Sequence, residues 1–307
     1  MDEWFVAADG AALYLDDHAD PPEAPPGPTV VLLHCYALDL RAWDPLIAPL
    51  RAAGLRLLRY DHRGHGWSTR ADEHTSVALL ADDLAELLTT GVTGPVVLVG
   101  HSLGGMVAMA LADRHPDLVA DRVAGVVFLA TSSGDLGRLD LGLPVVLGAA
   151  LLGLERRGVA VLTGCGFDHL PLPPAVLRPA TRWLAFGARA DDVAVADVAE
   201  LAASCHLGVM TTLRRSLAEI DFRLALVAFD GIPVVVAVGD RDRVTPTDHA
   251  REIVRRLPGA ELVVLPGAGH MLPHERTDAV ASIVVGVVHA ARCRWDREVE
   301  AGWRAAA

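Results

Sequence analysis

The feature that most constrains this chain is a serine between glycines where an apolar strand should meet a helix. Residues 95–99 (Pro-Val-Val-Leu-Val) form a short β-branched run that is typical of a buried strand. The stretch G-H-S-L-G (100–104) follows, and the small apolar residues 105–112 predict a tightly packed helix. Such a sharp turn needs small neighbours, because its backbone is strained and closely packed. We therefore expect Ser102 to stand at the top of a sheet, at a helix N-terminus.

Strand-like and helix-like stretches alternate on both sides of this turn. Strands are predicted at 29–33, 55–60, 95–99, 123–130, 232–238 and 261–265, with a hairpin over 4–15 before them. Helices are predicted at 41–53, 75–90, 105–112, 246–257 and 274–291. This alternation favours an α/β fold in which helices cover both faces of a mostly parallel central sheet.

The alternation stops between residues 132 and 230, where the sequence is helical and loop-like. We therefore expect a core made of 1–131 and 231–307, with 132–230 inserted as a helical cap. The insertion leaves from the carboxyl ends of the strands, which is where sites lie in open parallel sheets. The cap should then form a lid over Ser102.

Composition excludes some partners and limits the chemistry. The formal net charge of -12 argues against nucleic acid, whose phosphates require a basic surface. The chain contains no lysine, asparagine or glutamine, so any oxyanion hole must use backbone amides. The four cysteines are scattered without metal-ligand spacing, and we expect neither a metal nor a cofactor.

The chain is expected to work in a reducing, cytoplasmic setting. Its first residues lack the basic start and long apolar segment of a signal peptide. The longest apolar stretch, 141–154, is shorter than the about 20 residues that span a bilayer, so no stable membrane insertion is expected. The sequence does not indicate an oligomeric state.

A serine nucleophile needs a base and a carboxylate that orients it. His270 lies in a glycine-rich loop after strand 261–265, at the same sheet edge as Ser102, and His274 is the competing base. Asp242 follows strand 232–238 and is the favoured acid over Asp240, which suits a turn. The order serine, aspartate, histidine along the chain fits this assignment.

The oxyanion donors are expected at two other strand ends. One is the backbone N–H of Leu103, directly after the serine, and the other is the N–H of Tyr36, after strand 29–33. The segment 61–68 should form a rigid turn whose Asp61, Arg63 and His65 make structural hydrogen bonds.

These motifs resemble the α/β-hydrolase fold family over nearly the whole chain. The matching segments are G-H-S-L-G-G (100–105), D-H-R-G-H-G-x-S (61–68), G-x-x-D-x-x-x-P (239–246) and G-x-G-H (267–270). The resemblance implies the nucleophile, acid, base and oxyanion donors already named. One departure is Cys35, where the family usually has glycine after the histidine. We expect Cys35 to act as a small apolar residue; the alternatives are a distorted oxyanion hole or a narrowed pocket.

The resemblance also narrows the reaction. Epoxide hydrolases and dehalogenases of this fold use aspartate at the strand-to-helix turn that Ser102 occupies here (the elbow). Ser102 therefore implies acyl chemistry on a small-molecule, apolar ester, thioester or lactone. Two alternatives stay open: other acyl chemistry on the same triad, such as acyl transfer, cyclisation or peracid formation, and a non-catalytic ligand-binding homologue. The substrate pocket is expected to include residues from three segments. They are His34 and Cys35 from the loop after strand 29–33 (the oxyanion loop), His101 from the elbow, and Leu143 and Val146 from the cap.

Overall fold

An eight-stranded sheet forms the centre of the computed structural model, which describes residues 2–18, 27–136, 141–143 and 145–306. The strand order in space is β1-β2-β4-β3-β5-β6-β7-β8, and only β2 runs antiparallel to its neighbours. The strands are β1 Asp2–Val6, β2 Ala12–His18, β3 Thr29–Leu33, β4 Leu57–Tyr60, β5 Val96–His101, β6 Val123–Leu129, β7 Val234–Gly239 and β8 Glu261–Leu265. The α/β fold with a mostly parallel sheet is therefore confirmed.

Eleven α-helices are found in the described part of the chain, and from β3 onward each strand is followed by at least one of them. They are α1 Asp44–Ala52, α2 Val77–Glu86, α3 Leu103–Arg114, α4 Pro116–Arg122, α5 Val145–Gly164, α6 Pro174–Ala185, α7 Asp192–Ser204, α8 Leu207–Glu219, α9 Thr247–Arg256, α10 Leu272–Glu275 and α11 Thr277–Ala306. Helices α5 to α8 lie between β6 and β7, in the stretch where the strand pattern stops.

Both faces of the sheet are buried by helices, as parallel strands require. On one face, α2, α3 and α9 pack on the sheet through side chains such as Leu84, Val107 and Ile253. On the other face, α1 and α11 contact each other and the strands, with Trp43 and Val284 fully or almost fully buried. The strands between them are continuous apolar runs, and all five residues of β3 are buried.

Hydrogen bonds of buried polar side chains hold the turn at 61–68. The Asp61 carboxylate accepts hydrogen bonds from the backbone N–H groups of Leu40 and Trp67, both at 2.8 Å. Burial raises the pKa of Asp61 to about 7, although these hydrogen bonds oppose the shift. Gly66 has a positive φ of 50°, and a Cβ there would lie 2.0 Å from the Asp61 carboxylate.

No single helix among the described residues has both the length and the apolar character needed to cross a membrane. Helices α7 and α8 meet that test only when taken together, and they are bent by 95° at the break between them.

We predict that Arg63→Met strongly destabilises the fold. The guanidinium of Arg63 donates to both oxygens of Asp83 in α2, at 2.6 and 3.0 Å, and the side chains are only 7% and 4% exposed. Removal of the arginine leaves a buried carboxylate without its partner, which costs about 3 kcal/mol. Urea unfolding measures the loss.

Arg114→Met is the matched control, because Arg114 pairs with the neighbouring Asp82 in a position that is 42% exposed. An exposed pair contributes less than about 1 kcal/mol. Equal losses for the two variants would show that burial of the Arg63 pair has no special importance.

Candidate active site

Ser102 occupies a strained turn between β5, which ends at His101, and α3, which begins at Leu103. Its backbone has φ 53° and ψ -111°, a conformation that non-glycine residues rarely adopt. Glycines on both sides allow the turn to pack. A Cβ on Gly104 would lie 2.0 Å from the Leu33 carbonyl oxygen, and one on Gly100 would lie 2.5 Å from the Gly105 nitrogen.

The backbone of Ser102 is fixed on both sides by hydrogen bonds. Its N–H donates to the Leu129 carbonyl at 2.9 Å, and its own carbonyl accepts a hydrogen bond from the Thr131 hydroxyl at 2.6 Å. Both partners come from β6 and the residues after it. The hydroxyl of Ser102, in contrast, forms no hydrogen bond with any described residue.

His270 and Asp242 form a close pair in the loops that follow β8 and β7. The distance from His270 Nδ1 to Asp242 Oδ2 is 2.8 Å, and the side chains are 7% and 0% exposed. Because a carboxylate only accepts hydrogen bonds, the Nδ1–H donates to Asp242. In the neutral ring Nε2 then carries the lone pair that a general base needs.

Asp242 remains ionised although it is buried. Burial by itself raises the pKa of Asp242, but the nearby charge of His270 and the hydrogen bonds it receives hold that pKa below its ordinary value. The donors are the His270 imidazole, the N–H of Val244 at 2.8 Å, and the N–H and hydroxyl of Thr245, each at 2.9 Å. These bonds also fix the orientation of the carboxylate.

Strand register brings the four site loops to one edge of the sheet. Leu33 of β3 pairs with Gly100 of β5, so Tyr36 and Ser102 stand just beyond paired positions on adjacent strands. Gly239 of β7 pairs with Leu265 of β8, so Asp242 and His270 also leave the sheet side by side.

His101 directly joins the elbow at Ser102 to the loop 267–270, which carries His270 and is called the base loop below. Its Nε2–H donates to the His270 carbonyl at 2.9 Å, and the two ring centroids are 5.1 Å apart. Ser102 Oγ and the His270 imidazole do not form a hydrogen bond in the described structure. This contact is often long without a substrate and shortens in the complex.

The backbone N–H groups of Tyr36 and Leu103 have no hydrogen-bond acceptor among the described residues. Leu103 is the first residue of α3, and its N–H points out of the helix end, where the helix dipole favours negative charge. Two such unpaired amides at adjacent strand ends are what an oxyanion hole requires.

The residues expected to line the pocket differ in their exposure. His34, Cys35 and His101 are 0%, 3% and 1% exposed, because each is enclosed by protein. Val146 is 83% exposed and faces solvent. Leu143 is half-buried.

Cys35 packs in a small apolar cluster that connects the oxyanion loop to the cap. Its neighbours in the cluster include Phe186, Val195 and Leu201. Burial raises the pKa of Cys35 to about 12, so the residue is a neutral thiol and not a nucleophile. Cysteine at this position therefore fills space that a glycine would leave empty.

Buried histidines around the site are structural. His34 donates from Nδ1 to the Cys35 carbonyl at 2.8 Å and accepts at Nε2 from the His62 N–H at 2.9 Å. Burial lowers the pKa of His34 to about 4, and burial followed by the charge of a neighbouring histidine lowers the pKa of His65 and of His101 to about 3. These neighbours therefore stay neutral near pH 7, and His270 is the histidine that contacts Asp242.

The cap lies directly on two of the site loops. The Ala185 carbonyl accepts hydrogen bonds from the N–H groups of His270 and Met271, at 2.8 and 3.0 Å. On the other side, the Tyr36 hydroxyl donates to the Met210 carbonyl of α8 at 3.1 Å. The cap is therefore in contact with both the base loop and the oxyanion loop.

Sequence reasoning missed three residues that fix the site. Thr245 lies two residues before α9, which begins at Thr247, and its hydroxyl donates a hydrogen bond to the Asp242 carboxylate. Thr131 holds the Ser102 carbonyl. Glu275 accepts from the N–H of Gly269 at 2.8 Å and from that of Gly187 at 2.7 Å, and so joins the base loop to the cap. The Thr131–Ser102 and Glu275–Gly187 contacts join residues that are far apart in the chain.

In the described part of the chain, no group of three or more histidine, cysteine, aspartate or glutamate side chains has a geometry that could bind a metal ion.

We predict that Gly104→Ala destabilises the elbow by about 3 kcal/mol, since the added methyl group meets a backbone carbonyl that cannot move away. Gly158→Ala in α5 is the control, because a Cβ there has open space within 4 Å. The helix should gain a few tenths to about 1 kcal/mol from that alanine. Thermal unfolding of both variants gives the comparison, and a neutral Gly104→Ala would contradict the close packing.

The reactivity of the four cysteines tests their burial. Cys35 and Cys205 are buried, and burial raises each pKa to about 12, whereas Cys165 and Cys293 are exposed. A thiol reagent should therefore modify Cys165 and Cys293 rapidly in the native protein, and Cys35 and Cys205 only after unfolding. Rapid native modification of Cys35 would show that it faces the solvent-filled site.

Comparisons with known proteins agree with this architecture. The chain is 31% identical to an uncharacterized protein of Mycobacterium tuberculosis over 270 residues. The alignment covers 81% of this chain and 72% of the relative. The chain is 29% identical to the non-heme chloroperoxidase CPO-A1 of Kitasatospora aureofaciens, over 81% of this chain and 88% of that protein. The structure of a thermophilic esterase from Thermogutta terrifontis superposes with a TM-score of 0.71 at 23% identity, covering 97% of this chain and 99% of the esterase. Residues 30–283 match the alpha/beta hydrolase family, and the chain belongs to that family.

Proposed function

We propose that the protein is a serine hydrolase that cleaves carboxylic esters, including thioesters or lactones, through an acyl-enzyme. The observation that carries the proposal is the buried 2.8 Å contact between His270 Nδ1 and Asp242, with the strained Ser102 turn tied to the same loop through His101. An ionised acid, a base with a free Nε2 and an unbonded serine hydroxyl are the parts that this chemistry needs.

In the proposed mechanism Ser102 Oγ attacks the substrate carbonyl carbon while its proton passes to His270 Nε2. The carbonyl oxygen becomes negative and accepts hydrogen bonds from the N–H groups of Tyr36 and Leu103. The bond to the leaving group breaks, and the leaving group takes the proton from His270. Water then attacks the acyl-enzyme, its proton goes to His270, and the released acid frees Ser102 Oγ to take the proton back.

Asp242 stays ionised throughout these steps. Its carboxylate orients the imidazole and stabilises the imidazolium that forms after the first proton transfer. Thr245 and the Val244 amide keep the carboxylate in place by hydrogen bonds, so that it does not rotate away from His270.

Residues 132–230 act in this proposal as a lid on a core formed by 1–131 and 231–307. Support comes from the hydrogen bonds between Ala185 and the base loop and between Tyr36 and Met210. Such a lid excludes water and shapes the pocket for a small-molecule ester with an apolar acyl group. We place the enzyme in the cytoplasm and expect it to act without a metal or cofactor.

A second candidate reaction uses the same acyl-enzyme with hydrogen peroxide in place of water. Peroxide attack on the acyl carbon gives a peracid and regenerates Ser102, and the peracid can then oxidise a halide. The 29% identity to a non-heme chloroperoxidase favours this candidate. Assays with and without peroxide and a carboxylic acid separate the two reactions.

We predict that Asp242→Asn lowers kcat/KM for p-nitrophenyl esters by about 10⁴-fold, because His270 then takes the wrong tautomer. Ser102→Ala should reduce hydrolysis to background. Asp240→Asn is the control, since Asp240 bonds to the Gly267 N–H at the surface and not to the imidazole. If Asp242→Asn and Asp240→Asn reduced hydrolysis equally, Asp242 would not be the acid.

We also predict the shape of the pH profile. The low pKa values of His34 and His101, about 4 and about 3, keep both neutral where activity is measured, and the lowered pKa of Asp242 keeps it ionised. The proposed mechanism needs one neutral imidazole as its base, so log kcat/KM should decline as pH falls with a slope of about 1. A slope of about 2 would mean that a second buried group must also be ionised correctly.

A further inference from the structure

A cavity of about 1000 Å³ opens between α5 and α8 of the cap. Much of its wall consists of small or apolar side chains, among them Ala149, Ala150, Leu154, Val159 and Met210. This volume is at the upper end of those that hold small-molecule ligands, and an apolar wall of this kind suits a hydrocarbon chain.

The cavity is connected to the proposed oxyanion loop through one side chain. The Tyr36 hydroxyl donates to the carbonyl of Met210, and Met210 lines the cavity. Burial raises the pKa of Tyr36, while the positive charge of Arg214 on the same wall opposes that shift. The residue whose N–H would hold the oxyanion therefore contacts one residue of the cavity wall, Met210, through its hydroxyl.

The rim of the cavity is positively charged although the whole chain is acidic. Four arginines and two glutamates lie on its wall, in a protein of net charge -12. Arg214 of α8 pairs with Glu155 of α5 at 2.6 Å. Arg156, Arg157 and Arg215 are exposed and form no ion pair with any described residue.

An unpaired guanidinium presents several N–H donors in a plane and binds carboxylate or phosphate with two parallel hydrogen bonds. Three such groups around an apolar cavity fit a molecule with a hydrocarbon chain and an anionic end. The chain would lie along α5 and α8 toward Tyr36, and the anion would stay at the solvent-exposed rim.

We propose that the cavity between α5 and α8 binds the apolar chain of the substrate and that Arg156, Arg157 and Arg215 hold an anionic group at its far end. The preferred substrates would then be esters of long apolar acids that end in a second acidic group. The assignment of this ligand as a substrate depends on the proposed function, but its binding in the cavity does not.

Calorimetric titration of the Ser102→Ala variant tests binding without turnover. The probes are decanoate, decyl phosphate and 1-decanol, which share the chain and differ in the head group. Both anions should bind about tenfold more tightly than the alcohol, a ratio that two or three exposed ion pairs can supply. High salt should reduce the ratio, because these pairs are exposed and screened. The two anions compared with each other tell a carboxylate site from a phosphate site.

Variants locate the site. In the Ser102→Ala background, the double change Arg156→Gln and Arg157→Gln should bring the anions to the affinity of the alcohol. Arg178→Gln is the control, since Arg178 is an equally exposed arginine on α6 outside the cavity. Gly153→Trp should weaken all three probes, because Gly153 lines the cavity and a Cβ there meets only open space.

Equal affinity for decanol and the anions would overturn the proposal, as would an equal loss in Arg178→Gln or undiminished binding in Gly153→Trp. Turnover separates this outcome from failure of the proposed function. If the wild type hydrolyses p-nitrophenyl decanoate and its ω-carboxyl counterpart at equal kcat/KM, the cavity assignment is wrong and the hydrolase stands. If the anions bind as predicted but no ester is cleaved, the hydrolase proposal fails and the cavity stands.

Discussion

The strained backbone of Ser102 is the constraint on which the rest of the site depends. A non-glycine residue with φ 53° and ψ -111° costs about 1–3 kcal/mol, so the surrounding fold must enforce it. Hydrogen bonds from Ser102 to Leu129 and from Thr131 to Ser102 do so, and so does the close packing of Gly104 on Leu33. The Leu103 amide that follows begins α3 and has no acceptor among the described residues.

Parallel strand order explains how distant parts of the chain reach this turn. The segments after β3, β5, β7 and β8 supply Tyr36, Ser102, Asp242 and His270, and all four strands end at the same edge. Contacts beyond the strands then set the fine geometry. His101 joins the elbow to the base loop, and the Ala185 carbonyl joins the base loop to the cap. A movement of α6 would therefore be transmitted to His270.

The sequence predicts what depends on local pattern. The strand runs, the small residues around Ser102 and the aspartate and histidine after the last two strands are local signals, and the fold follows from them. Partners that are far apart in the chain and meet only in space are not visible in the sequence, such as Thr131 for Ser102 and Glu275 for Gly187. Degrees of burial also depend on distant elements, and the expected pocket residues His34, Cys35 and His101 are buried.

The central claim is that His270 activates Ser102. A fluorophosphonate probe reacts with an activated serine, and peptide mass spectrometry identifies the residue that carries it. The account predicts a label on Ser102 in the wild type and little or none in a folded His270→Ala variant. Labelling of Ser102 that does not depend on His270, or no labelling of the folded wild type, would contradict it.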